Sequence, residues 1–173
     1  MQEYKQVLRF LLYALGLCLC WFLLYDFWLS DLDNWLTLQI VHATVYTINM
    51  LGYNAAARDI MIQINGVDVV FVYHACNGMV LMALFAGFII AFPGPLSKKL
   101  IYIPLGIVLI NLLNILRVTA LALNAHHFSH TVDFNHKYTF TLVVYAAIFM
   151  LWMYWVKRFS GMTRHVDAQD IEI

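Results

Sequence analysis

Charge is scarce in this chain. Of its 173 residues, 12% are charged and 63% are hydrophobic. That excludes an ordinary soluble domain of this size and fits an integral membrane protein. Ten basic residues balance ten acidic ones, so no excess charge points to nucleic acid as a partner. Cysteine is scarce too. Cys18, Cys20 and Cys76 make an odd set with no metal-type spacing. Cys18 and Cys20 stand two apart on nearly opposite faces of a helix, which disfavours a disulfide between them and leaves packing as their plain role. The apolar run at 7–29 has no small-residue cleavage site and reads as a retained helix, not a removed signal peptide. There is no internal repeat, so 1–173 reads as a single integral membrane domain.

What is present is a succession of apolar segments. Those at 7–29, 77–92, 100–124 and 136–156 read as spanning helices. A fifth, 35–53, is interrupted by Thr37, Gln39, His42, Thr44, Thr47 and Asn49. Between 60 and 73 the period changes. Ile60, Ile62 and Ile64 alternate, Asn65-Gly66 follows, and Val67, Val69, Phe71 and Tyr73 alternate again. Asn-Gly between alternating runs predicts a β-hairpin, because both turn residues must accept positive φ. An open hairpin cannot lie in hydrocarbon, where its edges would go unpaired. Pro93-Gly94-Pro95 is a hard stop, 125–135 is a His-rich loop, and 159–173 is a polar tail.

Charge orients these segments. Lys5, Arg9, Lys98, Lys99, Lys157, Arg158 and Arg164 flank helix ends and are expected on the cytoplasmic side. Asp26, Asp31, Asp33, Asp59, Asp68 and Asp133 then fall on the other side. This is consistent if 35–53 does not cross. The expected fold is therefore an all-α polytopic membrane protein. It has about four spanning helices, one interfacial or re-entrant helix, a small extracytoplasmic β-hairpin at 60–73, and a cytoplasmic tail. Five full spans with the N-terminus outside is the alternative. Trp21, Trp28, Trp35, Trp152 and Trp155 suit interfacial belts.

In this topology Cys76, Arg117 and His136 converge on the outer boundary. Cys76 sits where the extended segment meets a helix. Arg117 lies about 10 Å below the outer end of its helix at 1.5 Å per residue, and His136 opens the last helix. A nucleophile, a cation for developing negative charge and a proton carrier are what acyl transfer needs. A helix start, with Asn77 as cap, and a nearby Arg117 would both favour the thiolate. Asn114, one turn from Arg117, shares its face and is expected to orient the guanidinium or the substrate backbone. Each residue also has a plainer reading. Cys76 could be a small buried hydrophobe, Arg117 a snorkelling anchor, and His136 a cap. Asn111, Asn114 and Asn124 could be interhelical hydrogen-bonding residues. His74 is a rival base. His126, His127 and His130 could suggest a metal site, but the His127/His130 pair, though spaced for one helical face, lies in the expected loop, and no metal or cofactor is expected.

The stretches His-Ala-Cys-Asn-Gly-Met (74–79), Asn-Ile-Leu-Arg-Val (114–118) and Phe-Asn-His-Lys-Tyr-Thr-Phe (134–140) resemble the three signature blocks of the exosortase/archaeosortase family. Order and spacing match, and the likeness is closest to the short exosortase-like members. The resemblance implies a membrane cysteine transpeptidase, analogous to sortases but unrelated in fold. Its partners would be exported proteins with a C-terminal signal of motif, transmembrane helix and basic cluster. An acceptor amine or water would resolve the intermediate. It implies Cys76 as nucleophile, with Arg117 and His136 as its partners, in a bacterial inner membrane with the site facing outward. Asn77 stands where serine or threonine is more usual, a difference that bears on signal reading. Two readings from other classes remain: a thiol-redox membrane protein, which would need a second outward cysteine, and a non-enzymatic assembly or transport subunit.

Overall fold

The computed structural model describes residues 2–24, 30–73, 76–128, 132 and 138–159. Among them are helices α1 (Gln2–Leu24), α2 (Ser30–Met50), α3 (Met79–Ala91), α4 (Leu96–His127) and α5 (Phe140–Phe159). Between α2 and α3 lie strands β1 (Ala55–Arg58), β2 (Met61–Ile64) and β3 (Val67–Phe71). The polar tail from 160 onward lies outside the described residues.

The sheet has three strands in the order β1-β2-β3, both pairs antiparallel. This corrects the two-stranded hairpin expected from sequence. The Asn65-Gly66 turn is where the pattern put it, with φ of 54° and 79°, the positive values that suit a tight hairpin. The extra strand is Ala55–Arg58, joined to β2 through Asp59, whose φ is 56°. The Asn49 side chain accepts from Ala55 N–H at 2.7 Å and donates to its carbonyl at 3.0 Å. It thereby pairs the start of β1 on its outer edge. A register shift between Ile62 and Gln63 marks a bulge in the β2/β3 pairing.

Helix α4 ties two cores together. Its outer half carries Val118 and Ala122, which pack with Ile40, Val41 and Ile48 of α2 and with Ile62 and Ile64 of β2. Its inner half carries Ile110, which packs with Phe85 and Ile89 of α3 and Val144, Ile148 and Trp155 of α5. Trp155 is 0% exposed, so it is a core residue and not part of an interfacial belt. Cys18 and Cys20 of α1 are exposed, which corrects the packing role expected for them. Helix α1 meets α3 through edge-to-face contacts of Phe10 with Phe88 and Phe92.

Several ends are secured by side chains. Asp31 and Asp33 occupy the first turn of α2, where acidic groups favour the helix N-terminus. Lys99 Nζ donates to the carbonyls of Ile90 and Phe92 at 2.8 and 2.7 Å, which satisfies the end of α3. Helix α4 runs to His127, so the first residues of the expected His-rich loop are helical. There His127 Nε2 meets the Tyr53 hydroxyl at 2.9 Å, fastening the α2–β1 connection to α4.

Two helices, α4 and α5, are long and apolar enough to cross a membrane; α1 and α3 hold shorter apolar stretches, Val7–Cys20 and Met79–Ala91. Helix α2 has 21 residues but falls short in apolarity. Large apolar side chains stand exposed along α1, α4 and α5, among them Leu8, Leu15, Leu105, Leu112, Val143 and Phe149. Exposed apolar surface on this scale suits lipid contact.

The α3/α4 contact depends on Gly106. A Cβ there would come within 2.2 Å of the Phe85 ring, itself fully buried. Gly106→Ala is expected to destabilise the protein by about 1–3 kcal/mol through overpacking. Phe85→Leu should recover part of that loss. Thermal unfolding in detergent measures both.

Candidate active site

Cys76 sits in the short connection between β3 and α3. Its N–H donates to the Tyr73 carbonyl at 2.8 Å. Helix α3 begins at Met79 behind Gly78, so Cys76 precedes the helix and does not open it. Gly78 has φ of 79°, and a Cβ on it would touch the Asn114 side chain at 3.4 Å. The left-handed backbone is what favours glycine at this turn.

Two asparagines hold this turn. Asn77 is 0% exposed. Its Nδ2 donates to the Asp33 carbonyl at 3.2 Å, to Thr37 Oγ1 at 3.0 Å and to the Asp33 carboxylate. Its Oδ1 accepts from Met79 N–H at 2.9 Å, an Asx-type bond that starts α3. From the other side, Asn114 Nδ2 donates to the Cys76 carbonyl at 2.8 Å. The residue after the cysteine is thus fastened to α2, and the cysteine's own carbonyl to α4. The sequence offered Asn77 as a cap or a substrate contact and Asn114 as a residue that orients the guanidinium or the substrate backbone; in the structure the Nδ2 groups of both bond within the protein, and Asn114 Oδ1 is buried without a partner among the described residues. Asp33 and Thr37 were missed as site residues. Both lie at helical spacing in the segment 35–53 and its acidic approach, a position that does not reveal a long-range partner.

Cys76 and Arg117 line one cavity of about 230 Å³, together with Val69 to Tyr73, Val118, Leu121 and Val132. Both are half-buried. Among the described residues the Arg117 guanidinium has no hydrogen bond and no ion pair. A cation that is half-buried and unpaired is costly, and its five donors are available to a ligand. A thiol and a free guanidinium at one apolar-walled cavity can together hold and attack a carbonyl group. His136 and the rival base His74 lie outside the described residues, as does His130. His126 and His127 are at the end of α4, engaged with Tyr53.

Two apolar helices long enough to cross a bilayer, with exposed apolar faces, support a membrane protein. The chain belongs to the transmembrane exosortase family: the family model (Exosortase_EpsH) matches residues 5–155. That span includes every described helix in whole or in large part, the sheet and the cavity. No curated protein and no solved structure matches the chain. Family membership points to a membrane transpeptidase or protease, a family generally of the cysteine type.

The Asn77 anchor is open to a direct check. Asn77→Ala removes a buried amide with three acceptors and the bond that starts α3. The expected loss is about 2 kcal/mol or more of stability. Asn77→Ala should therefore unfold at a clearly lower temperature than Asn111→Ala, whose Oδ1 has no partner to lose.

Proposed function

We propose that this protein is a membrane cysteine transpeptidase that cleaves C-terminal sorting signals of exported proteins and transfers the new carboxyl end to an acceptor. Four segments, containing α1, α3, α4 and α5, cross the bilayer. Helix α2 and the sheet form the extracytoplasmic cap, and the cavity opens beneath it at the outer boundary. Lys98 and Lys99 at one end, and Asp31, Asp33, Asp59 and Asp68 at the other, support this orientation. The observation that carries the reading is the shared cavity of Cys76 and the unpaired Arg117.

The substrate's membrane tail docks against the exposed apolar helix faces, and its cleavage segment enters the cavity. The Cys76 thiol gives its proton to His136, and the sulfur attacks the scissile carbonyl carbon. Arg117 donates to the carbonyl oxygen as it becomes an oxyanion. The C–N bond breaks, His136 returns the proton to the departing amine, and a thioester remains on Cys76. An acceptor amine, or water, then attacks the thioester. The C–S bond breaks, the thiol is restored, and a new amide or acid is released. Asn77 and Asn114 keep the Cys76 turn in place through their Nδ2 groups.

Co-expression with candidate substrates bearing C-terminal membrane tails, read by mass spectrometry, tests this. Cys76→Ala should abolish processing, while Cys18→Ala and Cys20→Ala leave it intact. Arg117→Lys keeps the charge but loses the planar fork. At matched membrane abundance it should lose about 3 kcal/mol of transition-state stabilisation, roughly 100-fold in rate. Full processing by Cys76→Ala would remove the nucleophile. An Arg117→Lys rate within about twofold of the parent would leave Arg117 an anchor.

A further inference from the structure

The two edges of the small sheet are finished differently. On the outer edge of β1 the Asn49 carboxamide bonds both the N–H and the carbonyl of Ala55. Strand β3 is the other edge, and among the described residues nothing bonds to its outer main chain. It carries neither lysine nor proline, and its one charge, Asp68, and the bulge in its pairing with β2 both lie before Phe71. Its sequence is Val67-Asp68-Val69-Val70-Phe71, and Phe71 and Tyr73 remain 41% and 63% exposed.

The alternation of an antiparallel ladder fixes which groups are free. Val72 N–H donates inward to the Ile60 carbonyl at 2.9 Å. Its neighbours Phe71 and Tyr73 therefore turn their main-chain groups outward. The Tyr73 carbonyl is taken by Cys76 N–H. This leaves the Phe71 N–H and carbonyl and the Tyr73 N–H. These groups lie on the stretch that lines the cavity, five residues and three residues before Cys76. Among the described residues these main-chain groups have no partner, so they are available to a ligand strand.

We propose that this edge binds the substrate's main chain: the segment next to the scissile bond adds to β3 as a fourth strand and is led by it to the Cys76 sulfur. The ligand is an extended polypeptide, recognised first by its backbone. The alternate side chains that face the cavity add selectivity. The inference rests on the reading of Cys76 as a nucleophile that meets a peptide.

The test uses the full chain with Cys18→Ala and Cys20→Ala, and a pool of tetrapeptidyl chloromethyl ketones with randomised side chains. Each reagent alkylates a thiolate: the C–S bond forms, the C–Cl bond breaks and chloride leaves. Two further pools carry N-methyl groups on one or the other alternate set of amides. Mass spectrometry follows labelling of Cys76. In an added strand only every second N–H points at the partner. One methylated pool should therefore react about tenfold more slowly than the parent pool, and the other within about twofold. Phe71→Pro, which deletes an outward N–H, should shrink the difference between the methylated pools. Equal rates for the two methylated pools with the unsubstituted protein would overturn the proposal, whether or not Phe71→Pro folds. Chloroacetamide separates the two layers of the argument. If it labels Cys76 while the pools show no alternation, strand addition alone fails. If it leaves Cys76 unlabelled, the thiol is not open to a ligand and both readings fall.

Discussion

Between Cys76 and Met79 the backbone turns and enters a helix, and Asn77 on that path is wholly buried. Buried polar groups there need partners. The partners come from far along the chain: Asp33 and Thr37 of α2 for Asn77, and Asn114 of α4 for the Cys76 carbonyl. This constraint fixes more than the turn. It locks α2 across the outer end of the helices and sets the height of α4. It also holds the Cys76 backbone beside the cavity.

Helix α4 then carries the constraint through the molecule. Ile110 belongs to the inner core and Val118 to the outer one, with Asn114 between them. Arg117 emerges from this same stretch, at the seam of the two cores. A guanidinium there gains little from packing and has no partner among the described residues. Cys76 and Arg117 share the cavity at this seam, and among the described residues the guanidinium is unpaired. That combination suits a reaction in which negative charge appears on a carbonyl oxygen and then vanishes.

Much of this was legible in the residues. Asn65-Gly66 marked its turn, because only a few residue types accept positive φ twice in succession. Pro93-Gly94-Pro95 separated α3 from α4, and the three signature blocks pointed to the family. Cys76 and Arg117 were expected on one boundary and line one cavity. What was not legible depended on partners distant in sequence. Strand β1 is Ala-Ala-Ala-Arg, with neither alternation nor β-branching, and it exists because β2 and Asn49 pair with it. Trp155 reads as an interfacial residue by type, yet it fills the inner core. Asn77 reads as a cap or a substrate contact, and only the fold reveals the carboxylate and hydroxyl that hold it. His136 and His74 lie outside the described residues, so the proton carrier stands on the sequence alone.

The central claim is that Cys76 and Arg117 face each other across one cavity. Arg117→Cys, in a chain with Cys18→Ala and Cys20→Ala, puts a second thiol at that wall. A short bis-maleimide then measures the juxtaposition directly, with Leu116→Cys as the comparison, since Leu116 is exposed and does not line the cavity. The account predicts an intramolecular bridge between 76 and 117, seen as a single linked peptide by mass spectrometry, and little between 76 and 116. A bridge to 116 in preference to 117 would put Arg117 on another face of α4 and contradict the site.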